Sequence, residues 1–192
     1  MSSKIKSGGI AGVVAAALLI LSAILYLLNP VQRTYDSATS YLYLGVTLAA
    51  YIAVIIAVLG IHALHSGSPR YGRLGTTGTV LTIAGYAIIA VMTVISMVQG
   101  HASFLTVRLA AAGVLLVGSL LLGVIILRAR MLPWWCGVLL IVAFPLGHFA
   151  NALFGAAENL ILALLWGSIG VALLSRREGV AESVATPSAQ AG

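Results

Sequence analysis

The chain has 192 residues, of which 61% are hydrophobic and only 7% charged, where a soluble domain carries about 25% charged residues. Its mean hydropathy of +1.12 is more than one soluble core can hide, and its apolar runs are continuous rather than alternating, which argues for membrane helices and against a barrel. The formal net charge of +6 collects at the ends of those runs with no interleaved aromatics, so it speaks for topology and against nucleic acid.

Six apolar runs follow in order, at about 10–28, 42–64, 76–98, 104–127, 134–154 and 157–175. Each is long enough to cross a hydrocarbon core of about 30 Å at about 1.5 Å per residue. The expected fold is therefore an all-α integral membrane protein. Residues 1–175 form one six-transmembrane-helix bundle of sequential antiparallel helices, and 176–192 form a disordered cytoplasmic tail.

The first run follows Lys4 and Lys6 and ends in "LYLLNP" with no small-residue cleavage site. It is expected to stay as a span rather than leave as a signal peptide. It opens with Gly8 and Gly12, a GxxxG pair. The connection "NPVQRTYDSATS", with Arg33 and Asp36, is too short to be a domain. Run two carries small residues on one face, Ala50, Ala53, Ala57 and Gly60, the signature of close helix packing in lipid. It ends in "HALH", where His62 and His65 could both face one ion, but no nearby acid or cysteine completes a site. Both are read as interfacial histidines.

Run three carries the most polar stripe of the chain: Gly75, Thr79, Thr82, Tyr86, Ala90, Thr93 and Met97. Either the threonines bond carbonyls of their own helix while packing on a neighbour, or the stripe lines a narrow polar cavity. His101 and Arg108 come next, then run four with Ala112, Ser119 and Gly123. "RARMLP" leads into run five, which opens with Trp134, Trp135 and Cys136. A single cysteine permits no intrachain disulfide, CxxC pair or thiolate cage.

Run five holds His148 and, three residues on, Asn151. A short turn follows, and Glu158 opens run six, where a carboxylate favours a helix N-terminus; Asn159 adjoins it. Ala156, Ala163, Gly167 and Gly170 give the sixth run a small face. With the N-terminus in the cytoplasm, eight of the ten Lys and Arg fall inside and only Arg33 and Arg108 outside, which the positive-inside rule favours. Both termini are then cytoplasmic. Tyr35, Tyr41 and Tyr43 mark the outer interface and Tyr71, Trp134 and Trp135 the inner one. A weak parallel repeat lays the hairpin of runs two and three over that of runs four and five, matching Gly60 with Gly123 and Gly78 with Gly137.

The candidate ligand-binding set is His148, Asn151, Glu158, Asn159, His101 and Arg108 at the outer end, with Thr82 and Tyr86 from the stripe. Three accounts compete: helix capping and interhelical bonding, a pocket for a small molecule or lipid head group, and a divalent metal held by His148, His101 and Glu158. The last lacks HxxxH or HExxH spacing.

No cofactor is expected. Haem is disfavoured because His62 and His148 lie at different depths, and retinal because the only lysines are Lys4 and Lys6. No catalytic set is found, so the chain is read as leaning away from an enzyme. The expected role is a multi-pass protein of a bacterial inner (plasma) membrane. It would bind a small apolar or amphipathic ligand or lipid, or act as a partner in a membrane complex or homo-oligomer. The alternatives are a metal-dependent membrane enzyme using the outer histidines and a small transporter or channel.

Overall fold

The computed structural model describes residues 3–28, 35, 37–102 and 104–184, excepting the side chains of 152–154 and 176–184. Arg33, Asp36 and the tail beyond 184 lie outside the described residues. The described chain is all-helical, with six long helices: α1 (Ser3–Leu28), α2 (Ala38–His65), α3 (Gly72–Gln99), α4 (Leu105–Ala129), α5 (Trp134–Phe154) and α6 (Ala157–Val184). Each contains a stretch long and apolar enough to cross a membrane.

The helix limits differ from the expected runs mainly at the two chain ends. α1 starts at Ser3 because Lys4, Ser7 and their neighbours continue a helix that apolarity alone does not mark. α6 likewise continues past residue 175 to Val184. Turn chemistry sets the other limits. Ser37 caps α2 by accepting from the Ser40 amide at 3.1 Å, which satisfies an otherwise orphaned N–H. α3 stops at Gly100, whose φ of 71° suits a left-handed C-cap. Gly155, at φ 63°, closes α5 and leaves a very short turn into α6.

Each helix packs on its chain neighbours, α6 returns to α1, and α2 touches α6. The last contact places α1 outside a ring made by α2 to α6, lying along the α2–α6 seam. Antiparallel alternation brings both described ends of the chain to one end of the bundle, called here the termini end; the α5–α6 turn marks the far end.

Small residues permit the closest approaches. A Cβ on Gly60 would lie 2.6 Å from the Gly8 Cα, and one on Gly12 2.9 Å from the Gly170 Cα, so α1 meets α2 and α6 backbone to backbone. Gly123 and Gly137 do the same for α4 and α5, each Cβ falling 2.7 Å from the other's carbonyl oxygen. The glycines that the repeat equates therefore act differently: Gly60 meets α1, whereas Gly123 meets Gly137, and Gly78 meets α4. The packing gives the parallel repeat no support. The small faces of α2 and α6 are buried as expected, with Ala50, Ala53, Ala57, Ala156 and Ala163 all in the interior.

A hydrogen-bonded chain links α1, α2 and α6 near the far end. Asn159 Nδ2 donates to Ser22 Oγ at 3.3 Å, Ser22 and Thr47 hydroxyls pair at 2.7 Å, and Thr47 donates to the Tyr43 carbonyl at 2.8 Å. With Thr47's proton committed to the carbonyl, Ser22 must be the donor of the middle bond, so each hydroxyl gives once and accepts once.

Candidate ligand cavity

The α5–α6 turn sets Glu158 in the first turn of α6 opposite the last turns of α5. Gly147 allows the close approach, since a Cβ there would already be 3.3 Å from Glu158 Cγ. His148 Nδ1 and Glu158 Oε1 lie 3.1 Å apart, with side chains 51% and 28% exposed. An ion pair this open to its surroundings contributes about 0–1 kcal/mol.

Arg108 comes from the first full turn of α4. Its Nη2 donates to Ser96 Oγ at 2.9 Å and to the Met92 carbonyl at 3.3 Å. These groups belong to the last turns of α3, where a cation is favoured by the helix dipole. Arg108 Nε is buried and has no hydrogen-bond partner among the described residues. A buried donor left so costs about 1–3 kcal/mol, more when charged.

These three side chains line one cavity of about 190 Å³ with Tyr51 of α2, Tyr86 and Ile89 of α3, Leu109, Ala112 and Leu115 of α4, Phe144 of α5 and Leu162 of α6. All five helices of the α2–α6 ring contribute. Its exposed lining residues, Leu109 and His148, put the mouth between α4 and α5 toward the far end. The two helices touch backbone to backbone toward the termini end, at Gly123 and Gly137. Pro145, inside α5, cannot donate to the carbonyl of Ile141, which loosens α5 at the depth of the cavity.

Aromatic rings close the inner end. Tyr86 packs on Tyr51, Phe144 and Trp166, with ring centroids 5.6, 6.1 and 6.2 Å away. Trp166 Nε1 donates to the Tyr86 hydroxyl at 3.1 Å. The stripe of α3 thus faces inward: Thr79, Thr82, Tyr86 and Thr93 are buried. Thr82 and Thr93 donate to the carbonyls of Gly78 and Ile89 in their own helix, the self-satisfied arrangement of a packing face, and only Tyr86 of the stripe reaches the cavity.

The structure brings together His148, Glu158, Arg108 and Tyr86 of the candidate set, and leaves out the others. Asn151 is exposed on α5 rather than turned inward, and His148 sits at the rim rather than in the interior. Asn159 faces Ser22 on the α1 side. His101 is exposed in the α3–α4 connection, and among the described residues no three His, Cys, Asp or Glu side chains converge on a metal site. The trio of His148, His101 and Glu158 is therefore not assembled.

Tyr51, Phe144 and Trp166 were not singled out in the sequence. Trp166 carried a signal: Trp134 and Trp135 sit at a helix start, where tryptophan is common, whereas Trp166 falls in mid-helix and needs a partner for its N–H.

At the termini end, "HALH" proves to be a cluster around Tyr71. His62 Nδ1 lies 3.1 Å from the Tyr71 hydroxyl, which also bonds Thr79. His65 is fully buried, stacks on the Tyr71 ring at 5.6 Å and bonds the Ile61 carbonyl through Nδ1. Burial pushes the Tyr71 phenol up, partly offset by the Thr79 bond, so it serves as a neutral hydroxyl. These histidines hold the α2–α3 corner through Tyr71 and the Ile61 carbonyl.

Comparison of the chain with protein-family models, with curated proteins and with solved structures finds no match.

Proposed function

We propose that this chain is a multi-pass protein of a bacterial inner (plasma) membrane, with six spans and both termini cytoplasmic. Its role is non-catalytic: it binds a small amphipathic molecule in the α2–α6 cavity. The six apolar helices and the eight-to-two distribution of Lys and Arg support the topology. The observation that carries the binding role is the unpartnered Nε of Arg108 beside a cavity whose lining, apart from the His148–Glu158 pair, is aliphatic and aromatic.

The chemistry follows from the lining. His148 Nδ1 takes up one oxygen of Glu158, whereas Arg108 Nε is a buried donor still without an acceptor, so Arg108 selects an anionic or strongly accepting head group. The volume of about 190 Å³ is near the roughly 150 Å³ of a cavity that takes up benzene. One ring or a short chain fills it. The lateral mouth between α4 and α5 would admit such a molecule from the outer half of the bilayer.

Benzoate and benzamide, matched in shape, test the reading in purified protein. Benzoate should raise the melting temperature and benzamide should not. Arg108→Gln should weaken benzoate binding about tenfold or more, as expected for losing a hydrogen bond to a charged group. Ala112→Phe, which fills the cavity, should abolish the shift. Equal shifts by both compounds, or an unchanged benzoate response in Ala112→Phe, would remove the cavity as the binding site.

A further inference from the structure

We infer that a groove between the start of α1 and the end of α2 holds one anionic phospholipid of the termini-side leaflet. The inference rests on the membrane-spanning reading above and is independent of the α2–α6 cavity.

The groove follows from the Gly8–Gly60 crossing. Where two backbones touch, the side chains flanking the contact splay apart and leave a cleft beside it. Ser3, Lys4 and Ser7 share one face of α1, and Ile56, Leu59, Ala63 and Ser66 share one face of α2 by their three- and four-residue spacing. Together with His62 they enclose about 730 Å³. His62 and Ser66 also line a neighbouring cleft of about 560 Å³ that carries Arg73. The two clefts meet at these shared residues, flanked by Lys4 on one side and Arg73 on the other.

Polarity changes along the groove as it does along a lipid. Hydroxyls and cations lie at the helix ends, whereas Ile56 and Leu59 lie deeper and remain exposed. From Ser66 to Ile56 is ten residues, or about 15 Å of helix, which is half of a hydrocarbon core of about 30 Å. An acyl chain of one leaflet covers that distance. The charge also matches: Glu158 lies at the far end, and the termini end sets eight Lys and Arg against Glu178 and Glu182 in the last turns of α6. No ion pair engages Lys4 or Arg73 among the described residues. A phosphate between Lys4 and Arg73, with the serine hydroxyls as donors, supplies the missing countercharge.

Native mass spectrometry of detergent-purified protein, titrated with dioleoyl phosphatidylglycerol or dioleoyl phosphatidylcholine, tests this. One phosphatidylglycerol should be retained in preference to phosphatidylcholine. Lys4→Gln should reduce that preference about fivefold, the effect of one basic side chain near a membrane surface. Leu59→Trp, at an exposed position, should block the acyl path and remove the retained lipid, while Arg128→Gln, outside the groove, should change nothing.

Equal retention of both lipids, no effect of Leu59→Trp, or equal loss with Arg128→Gln would overturn the groove. So would glycerol 3-phosphate competing as well as the whole lipid, which would leave an anion site without a tail channel. A chain that does not enter the membrane fraction would instead overturn the spanning reading beneath it.

Discussion

Trp166 is buried in the middle of α6, where an indole N–H must find an acceptor or lie orphaned. It finds the Tyr86 hydroxyl, and the two rings set the inner end of the cavity. Trp166→Phe keeps most of the apolar contact and removes the bond. Chemical or thermal unfolding should show a loss of about 1–3 kcal/mol, the bond together with the partial void. A variant as stable as the parent would mean that Tyr86 is positioned by Tyr51 and Phe144 without help. His148→Ala should cost less, about 1 kcal/mol or under, because its pair with Glu158 is exposed.

Helix geometry separates the candidate residues that line the cavity from those that do not. Glu158 and Asn159 are adjacent, so they point about 100° apart; when Glu158 faces α5, Asn159 faces α1 and joins Ser22 instead. Asn151 shares a general direction with His148, but His148 is itself at the cavity rim, and a further small rotation carries Asn151 to the outer surface. His101 belongs to a connection, where no periodicity fixes direction. Arg108 could be placed at the correct depth from sequence, but not its bonds to Ser96 and Met92, which depend on how α3 and α4 cross.

At the scale of helices, the six runs were legible because spanning length and apolarity are local properties of the chain. Contact faces were legible too, since small residues at three- and four-residue steps leave few alternatives. Which face meets which helix was not, and here the glycines decide. A Cβ on Gly123 meets backbone, the carbonyl oxygen of Gly137, and backbone cannot rotate away. Gly113, in the same helix, has nothing within 4 Å of its Cβ position. Gly123→Ala should therefore lose about 1–3 kcal/mol as α4 and α5 are forced apart, while Gly113→Ala should be neutral or gain up to about 1 kcal/mol from helix propensity. Melting curves of the two variants in one detergent make the comparison, and equal behaviour would contradict the close α4–α5 crossing.

For the molecule as a whole, the α2–α6 contact separates two tasks. The α2–α6 ring encloses the cavity, and α1 lies outside it, sealing the seam through Gly8, Gly12 and the Ser22 hydroxyl. The histidine–tyrosine cluster and most of the basic residues occupy the termini end, and the cavity, with Arg108, opens toward the other. This polarity allows the proposed orientation to be tested at positions that perturb little. Gly67 has nothing within 4 Å of its Cβ position, and His101 is exposed in the α3–α4 connection. In a Cys136→Ala background, Gly67→Cys should react with an impermeant maleimide only after the cells are opened. His101→Cys should react in intact cells. The positive-inside rule demands this order because Arg70, Arg73, Arg128 and Arg130 share the end that holds Gly67. The reverse pattern would place the basic end outside and move the cavity mouth to the cytoplasmic leaflet. Both sites reacting only in opened cells would mean that α3 does not cross the bilayer, and the six-span arrangement would then fail.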